Sequence, residues 1–183
     1  ETKLSADRVH YSSEGGGEWA QNVFQQLKVS GLASGAVASS PLTSSSQTIA
    51  VMGASNEVAA STGSGYVSLL KTMHSSLNFI VGAREGYSIR EQEDELLSGL
   101  LQEKPSVLIV NPSGNTCTKS SVTDGMLSVG QIVSKARAAN VQKIIFLTIS
   151  PRRNADYQSW IELFNQKLKG LVKDGVVVVD IYS

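Results

Sequence analysis

Residues 49–56 read Ile49-Ala50-Val51-Met52-Gly53-Ala54-Ser55-Asn56: an apolar run stops at a glycine, and a serine follows two residues later. A run without polar alternation is what a strand covered on both faces requires, as in a parallel sheet between helical layers. The chain then becomes rich in small residues, Gly63-Ser64-Gly65 among them, before the next apolar stretch. A serine at such a strand-to-helix turn stands at the C-terminal edge of a sheet, where α/β sites form.

Outward from this stretch, strand and helix signals alternate, which predicts an α/β fold with a parallel sheet. Strands are predicted over Thr48–Met52, Leu77–Val81, Val107–Asn111, Lys143–Ile149 and Val176–Ile181. Helices are predicted over Glu14–Lys28, Gly65–His74, Ile89–Gln102, Val122–Ala139 and Asp156–Lys173. In the last of these, Trp160, Leu163, Phe164, Leu168 and Leu171 recur at helical spacing and form a core-facing stripe. The expected architecture is doubly wound: three layers, α/β/α, flavodoxin-like, with five parallel strands.

The 183 residues suffice for one domain with a full core. Lys+Arg and Asp+Glu balance at 16 each, which excludes bulk charge as a driver of nucleic-acid or membrane-surface binding. No apolar run has the length of a membrane span, and no signal peptide is visible. The chain starts at Glu1 without an initiator Met, which reads as a processed or excised segment, soluble and compatible with secretion. The single cysteine, Cys117, excludes an intrachain disulfide. Gly63-Ser64-Gly65 lacks the Lys-Ser/Thr of a phosphate loop, and no His/Cys/Asp cluster has metal-ligand spacing; neither metal nor cofactor is expected.

The start of the chain carries a second motif. Ser5-Ala6-Asp7-Arg8-Val9-His10-Tyr11-Ser12-Ser13-Glu14-Gly15-Gly16-Gly17-Glu18-Trp19-Ala20 places Asp-x-x-His before a Ser-rich turn, a Glu-Gly step and a helix. This resembles the closing motif of SGNH (GDSL-type) hydrolases, and Gly53-Ala54-Ser55 resembles their opening Gly-Asp-Ser. The closing motif comes first, so the chain resembles a circularly permuted member of that family. Residues 176–183 followed by 1–10 read as the family's last strand running into its catalytic loop. The single domain then divides into the closing motif and helix (1–29), a small, polar linker (30–47) and the remainder (48–183). Such a linker spans on the order of 60 Å when extended, more than the return path needs. Natural permutation, engineering and a cut through tandem domains would each give this order.

A serine alcohol needs a base within reach, and His10, with an unperturbed pKa of about 6.5, is the candidate. Asp7, three residues earlier, is spaced to orient the imidazole. The resemblance implies an oxyanion hole built from the Ser55 amide, a glycine amide after the second strand and an asparagine side chain after the third. Gly86 matches that glycine, with Gly82 as the alternative, and Asn115 in Ser113-Gly114-Asn115-Thr116 matches the asparagine. The family's aspartates after Gly53 and Asn115 are replaced by Ala54 and Thr116. Arg152 and Arg153, after the fourth strand, are candidate substrate-binding residues for an anionic or sugar ligand. Cys117 is expected as a small buried residue, and His74 closes a helix without a further role.

The resemblance implies a serine esterase for small-molecule or carbohydrate esters, acting on short acyl groups, acetyl above all. An O-acyltransferase using the same residues, and an inactive SGNH-fold carbohydrate-binding or structural module, are the competing readings.

Overall fold

The computed structural model describes residues 20–25, 47–58, 65–152, 154–173 and 175–181. Five strands form one sheet: β1 (Thr48–Gly53), β2 (Asn78–Ala83), β3 (Val107–Val110), β4 (Lys143–Leu147) and β5 (Val176–Val179). Their order is β2-β1-β3-β4-β5, and every neighbouring pair is parallel. The direction of winding reverses between β1 and β3, which opens a crevice at their C-terminal ends.

The described helices are α1 (within residues 20–25), α2 (Ser55–Val58), α3 (Tyr66–Met73), α4 (Ile89–Glu95), α5 (Leu97–Gln102), α6 (Thr116–Lys119), α7 (Val122–Ala138) and α8 (Gln158–Lys169). Alternate residues of each strand enter opposite core layers, as the two-residue period of a strand dictates. Ala50, Met52, Leu108, Val110, Ile144 and Phe146 pack with residues from α4, α5, α7 and α8. Ile49, Val51, Ile109, Ile145, Leu147 and Val179 pack on the other face with Tyr66, Val67 and Leu70 of α3 and with Ala20 and Val23 of α1. Both faces are thus covered, which explains why the strands are continuous apolar runs. The ring of Phe24 stacks on His74 at 4.1 Å between centroids, joining α1 to the end of α3.

The expected α/β/α architecture with a five-stranded parallel sheet is the observed one; several boundaries differ. The single helix expected over Ile89–Gln102 is two, because Leu96, at φ −107°, bends the chain between α4 and α5. Leu96 still donates to the Gln92 carbonyl and accepts from the Leu100 amide, so the bend keeps its hydrogen bonds. The stretch expected to begin α8 at Asp156 is instead a 3-10 turn, Ala155–Tyr157, capped by the Asn154 side chain accepting from the Asp156 amide at 3.0 Å. The third strand stops at Val110, one residue early, and releases the side chain of Asn111 from the sheet.

The exits of β4 and β5 are pinned by side chains. Asn165 of α8 accepts from the Ile149 amide at 2.8 Å and donates to the Ile149 carbonyl at 2.7 Å. Thr148 donates its hydroxyl to Asp180 at 3.0 Å and accepts from the Ile181 amide at 2.8 Å. No helix among the described residues is long and apolar enough to cross a membrane.

Candidate active site

A cavity of about 320 Å³ lies at the C-terminal ends of β1, β3 and β4, at the reversal of strand order. Three segments line it: Ala54–Glu57 after β1, Asn111 and Ser113–Asn115 after β3, and Ser150–Arg152 with Asn154 and Tyr157 after β4. Ser55 opens α2 and is half-buried on the cavity wall.

The loop after β3 is held by its own side chains. Asn111 continues the β1–β3 pairing by donating its amide to the Met52 carbonyl at 2.9 Å. Its side-chain oxygen accepts from the Ser113 amide at 3.0 Å, closing a tight turn. Ser113 sits in the left-handed region at φ 64°, uncommon for a residue other than glycine. Its hydroxyl accepts from the Asn115 backbone amide at 3.1 Å and from Asn115 Nδ2 at 2.9 Å. Asn115 Nδ2 also approaches the Tyr87 carbonyl at 3.5 Å, so the loops after β2 and β3 meet at this side chain.

Beneath Ser55 lies a carboxyl group that sequence reasoning missed. Glu57 is 0% exposed. Its Oε2 accepts from the Ala54 amide at 2.9 Å and its Oε1 from Asn111 Nδ2 at 2.8 Å. Burial pushes its pKa up to about 7, against the opposing pull of hydrogen bonds from Asn111, Ala54 and Tyr66. The Tyr66 hydroxyl is itself raised well above its usual range, by burial first and then by the neighbouring Glu57 charge. The one available signal was position: Glu57 is the third residue of a helix, where a carboxyl often closes onto the amide before that helix.

Of the residues singled out from the sequence, Ser55, Asn115 and Arg152 line the same cavity. Gly86 is exposed in the turn after β2, at φ +78°, and is not among the lining residues; its neighbour Tyr87 is the one that meets Asn115. Gly82 lies inside β2 with its Cα against Leu100. Asp7, His10 and Arg153 lie outside the described residues. Arg152 extends along Gly114, and its guanidinium reaches 4.0 Å from the Cys117 sulfur. Among the described residues no carboxylate pairs with Arg152. Cys117 is 7% exposed, and its sulfur contacts the Gly114 carbonyl at 3.0 Å. Burial raises its thiol pKa, outweighing Arg152, which keeps it a poor thiolate source.

No protein-family model and no curated protein sequence matches the chain. Solved structures do. The psychrotrophic esterase EstA from Pseudoalteromonas sp. aligns at a TM-score of 0.57 and 17% identity, over 72% of this chain and 76% of that one. A GDSL-like lipase from Bacteroides thetaiotaomicron VPI-5482 aligns at 0.63 and 12% identity, over 87% of this chain and 78% of that one. AlinE4, described as an SGNH-hydrolase family esterase, aligns at 0.63 and 17% identity, over 75% of this chain and 77% of that one. Likeness at this identity is likeness of architecture: the chain carries the SGNH-hydrolase fold.

Proposed function

We propose that the protein is a serine esterase acting through an acyl-enzyme. Ser55 Oγ attacks the ester carbonyl as His10 takes its proton, and Asp7 holds the imidazole in the right tautomer. The tetrahedral oxyanion is held by the Ser55 amide and by Asn115 Nδ2. Collapse breaks the bond to the alcohol, which leaves with the proton from His10. Water then repeats the sequence and releases the acid. The observation that carries this reading is that Ser55 and Asn115, on loops after β1 and β3, line one cavity at the strand-order reversal. Asn115 Nδ2 has two hydrogens: one is given to Ser113 at 2.9 Å, and the other meets the Tyr87 carbonyl only at 3.5 Å, a long contact that an oxyanion can displace.

The substrate class follows from the other cavity wall. Arg152 and Tyr157 offer a cation and an aromatic ring beside Ser55, which suits a carbohydrate ester bearing a short acyl group such as acetyl. One solved structure with the same fold, at a TM-score of 0.65 and 14% identity, is described as an acetyl xylan esterase, which supports this choice. The reading further takes the chain as a circular permutation. Its support is the packing of Ala20 and Val23 of α1 against the core layer that contains Val179 and Ile181.

The test is active-site labelling. A fluorophosphonate probe should label the wild type on Ser55, as located by peptide mass spectrometry, and should leave Ser55→Ala unlabelled. Absence of labelling in a protein that also fails to release acetate from acetylated saccharides would sink the esterase reading.

A further inference from the structure

Glu57 takes no part in the acyl transfer proposed above, yet it is a fully buried carboxyl two residues from the nucleophile. A glutamate that closes onto the amide preceding its helix is an ordinary helix-entry device, and it uses one carboxylate oxygen. Here the second oxygen is bound as well, by a residue 54 positions away in the chain. An unbroken series of hydrogen bonds results. The Ala54 amide donates to Glu57, Asn111 Nδ2 donates to Glu57, the Ser113 amide donates to Asn111, and both nitrogens of Asn115 donate to the Ser113 hydroxyl. All of these bonds are buried or partly buried, between 2.8 and 3.1 Å. A satisfied network in a low-dielectric interior is rigid, and it leaves its members one arrangement.

We propose that Glu57 is a positioning residue: with Asn111 it clamps the turn that presents Ser55 to the loop that presents Asn115, and so sets the spacing between nucleophile and oxyanion donor. This rests on the esterase reading for its catalytic consequence but not for the clamp itself. The groups facing the carboxyl are Tyr66 from α3 and Asn111 after β3, and Arg152 lines the same cavity from the segment after β4. The strands β1 and β2 that α2 packs against contain no titratable side chain.

Glu57→Gln keeps the shape but places an NH2 group against either the Ala54 amide or Asn111 Nδ2, donor against donor, so one arm of the clamp opens. Asn111→Ala cuts the other end and leaves the bond between Glu57 and Ala54 in place. Amide hydrogen exchange at Ala54 and Asn115, together with kcat and KM for p-nitrophenyl acetate, is measured for the wild type and both variants. The expected result in either variant is faster exchange at the Asn115 amide and a fall in kcat of about 10- to 100-fold. KM should stay within about twofold, since the lesion is in transition-state geometry and not in binding. A glutamate that only caps α2 predicts normal Asn115 exchange and wild-type kcat in the folded Asn111→Ala protein, and that outcome overturns the clamp. Should Glu57→Gln fail to fold, Asn111→Ala decides by the same readouts. A wild type without esterase activity removes the proposed function, and the exchange data then support or overturn the clamp alone.

Discussion

The Glu57 carboxyl lies over Gly53, in the volume that a Cβ at that position would fill. Gly53 is the last residue of β1, and Glu57 is folded back onto it from the first turn of α2. A glycine before the nucleophile turn is therefore explained here by packing: only a residue without a side chain leaves room for the buried acid.

Gly53→Ala should in consequence expel the Glu57 side chain or push apart β1 and α2. Overpacking of this kind costs about 1–3 kcal/mol, and the loss of a buried hydrogen-bond pair adds to it. Thermal denaturation should show a clear fall in Tm. A Gly53→Ala protein that melts like the wild type would mean that the carboxyl has another place to go.

The same carboxyl makes stability depend on pH. Its ordinary pKa is 4.5, and burial raises it to about 7 in the folded protein. Between those values the folded chain keeps a proton that the unfolded chain has lost, so stability falls as pH rises through this window and levels off above it. The contribution is fully present below pH 4.5 and gone above about pH 7. A shift of that size corresponds to about 3 kcal/mol at most. Urea titrations from pH 4.5 to 8 should show this fall in the wild type and a smaller one in Glu57→Gln, which has no proton to lose. Parallel curves for the two proteins would refute the assignment.

Ser55→Ala should lower kcat for short-chain esters by roughly 10⁴-fold or more while the melting curve stays near wild type, because the covalent route needs the hydroxyl. Asp7→Asn should cost less than His10→Ala, since it disturbs orientation and charge and leaves the base in place. The rate should rise through about pH 6.5, where the imidazole becomes neutral. Comparable, negligible losses in all three variants would instead favour an inactive module with a hydrolase fold.

How far the sequence carried depends on the length scale of each signal. The β1 run Ile49–Met52 and the all-valine β5 are visible because a doubly covered parallel strand needs uninterrupted apolar residues. Ser55 and Asn115 are visible because each lies in the turn that follows such a run. The helices α2 and α6 were not visible: at four residues each they are too short for a 3.6-residue period to develop. Glu57 in isolation reads as a solvated acid at a helix entry. Its burial exists only because Asn111 and Tyr66 converge on it from other elements over the space left by Gly53, and no local pattern encodes that convergence. Asn111 reads in the sequence as the end of a strand, since a residue that leaves a sheet one position early changes no periodicity.

Arg152 supplies a prediction about substrate. It lines the cavity beside Ser55 and pairs with no carboxylate among the described residues. A charge-assisted hydrogen bond to an anionic substituent is worth about 1.5–3 kcal/mol. Arg152→Ala should therefore lower kcat/KM by about 10- to 100-fold for an acetyl ester on a uronic acid and by less than about twofold for one on a neutral sugar. Equal losses on both would show Arg152 to be a structural support for the Gly114 loop.

The permuted reading is tested by reversing it. If residues 176–183 and 1–10 form one continuous segment of the ancestral fold, joining Ser183 to Glu1 restores the tether between β5 and the loop that carries Asp7 and His10. The exit of β5 is already fixed by the Thr148 bonds to Asp180 and Ile181, so one end of the restored segment starts from a rigid anchor. Opening the chain within Gly31–Ser46 instead breaks a stretch rich in glycine and serine, where the backbone has least to lose. The rejoined chain should give the same circular dichroism spectrum, melt no lower than the wild type, and hydrolyse p-nitrophenyl acetate at least as fast, because a loop held at both ends loses less entropy on ordering its catalytic side chains. An unfolded rejoined chain, or one that folds but loses activity, would break the permuted alignment and, with it, the assignment of Asp7 and His10.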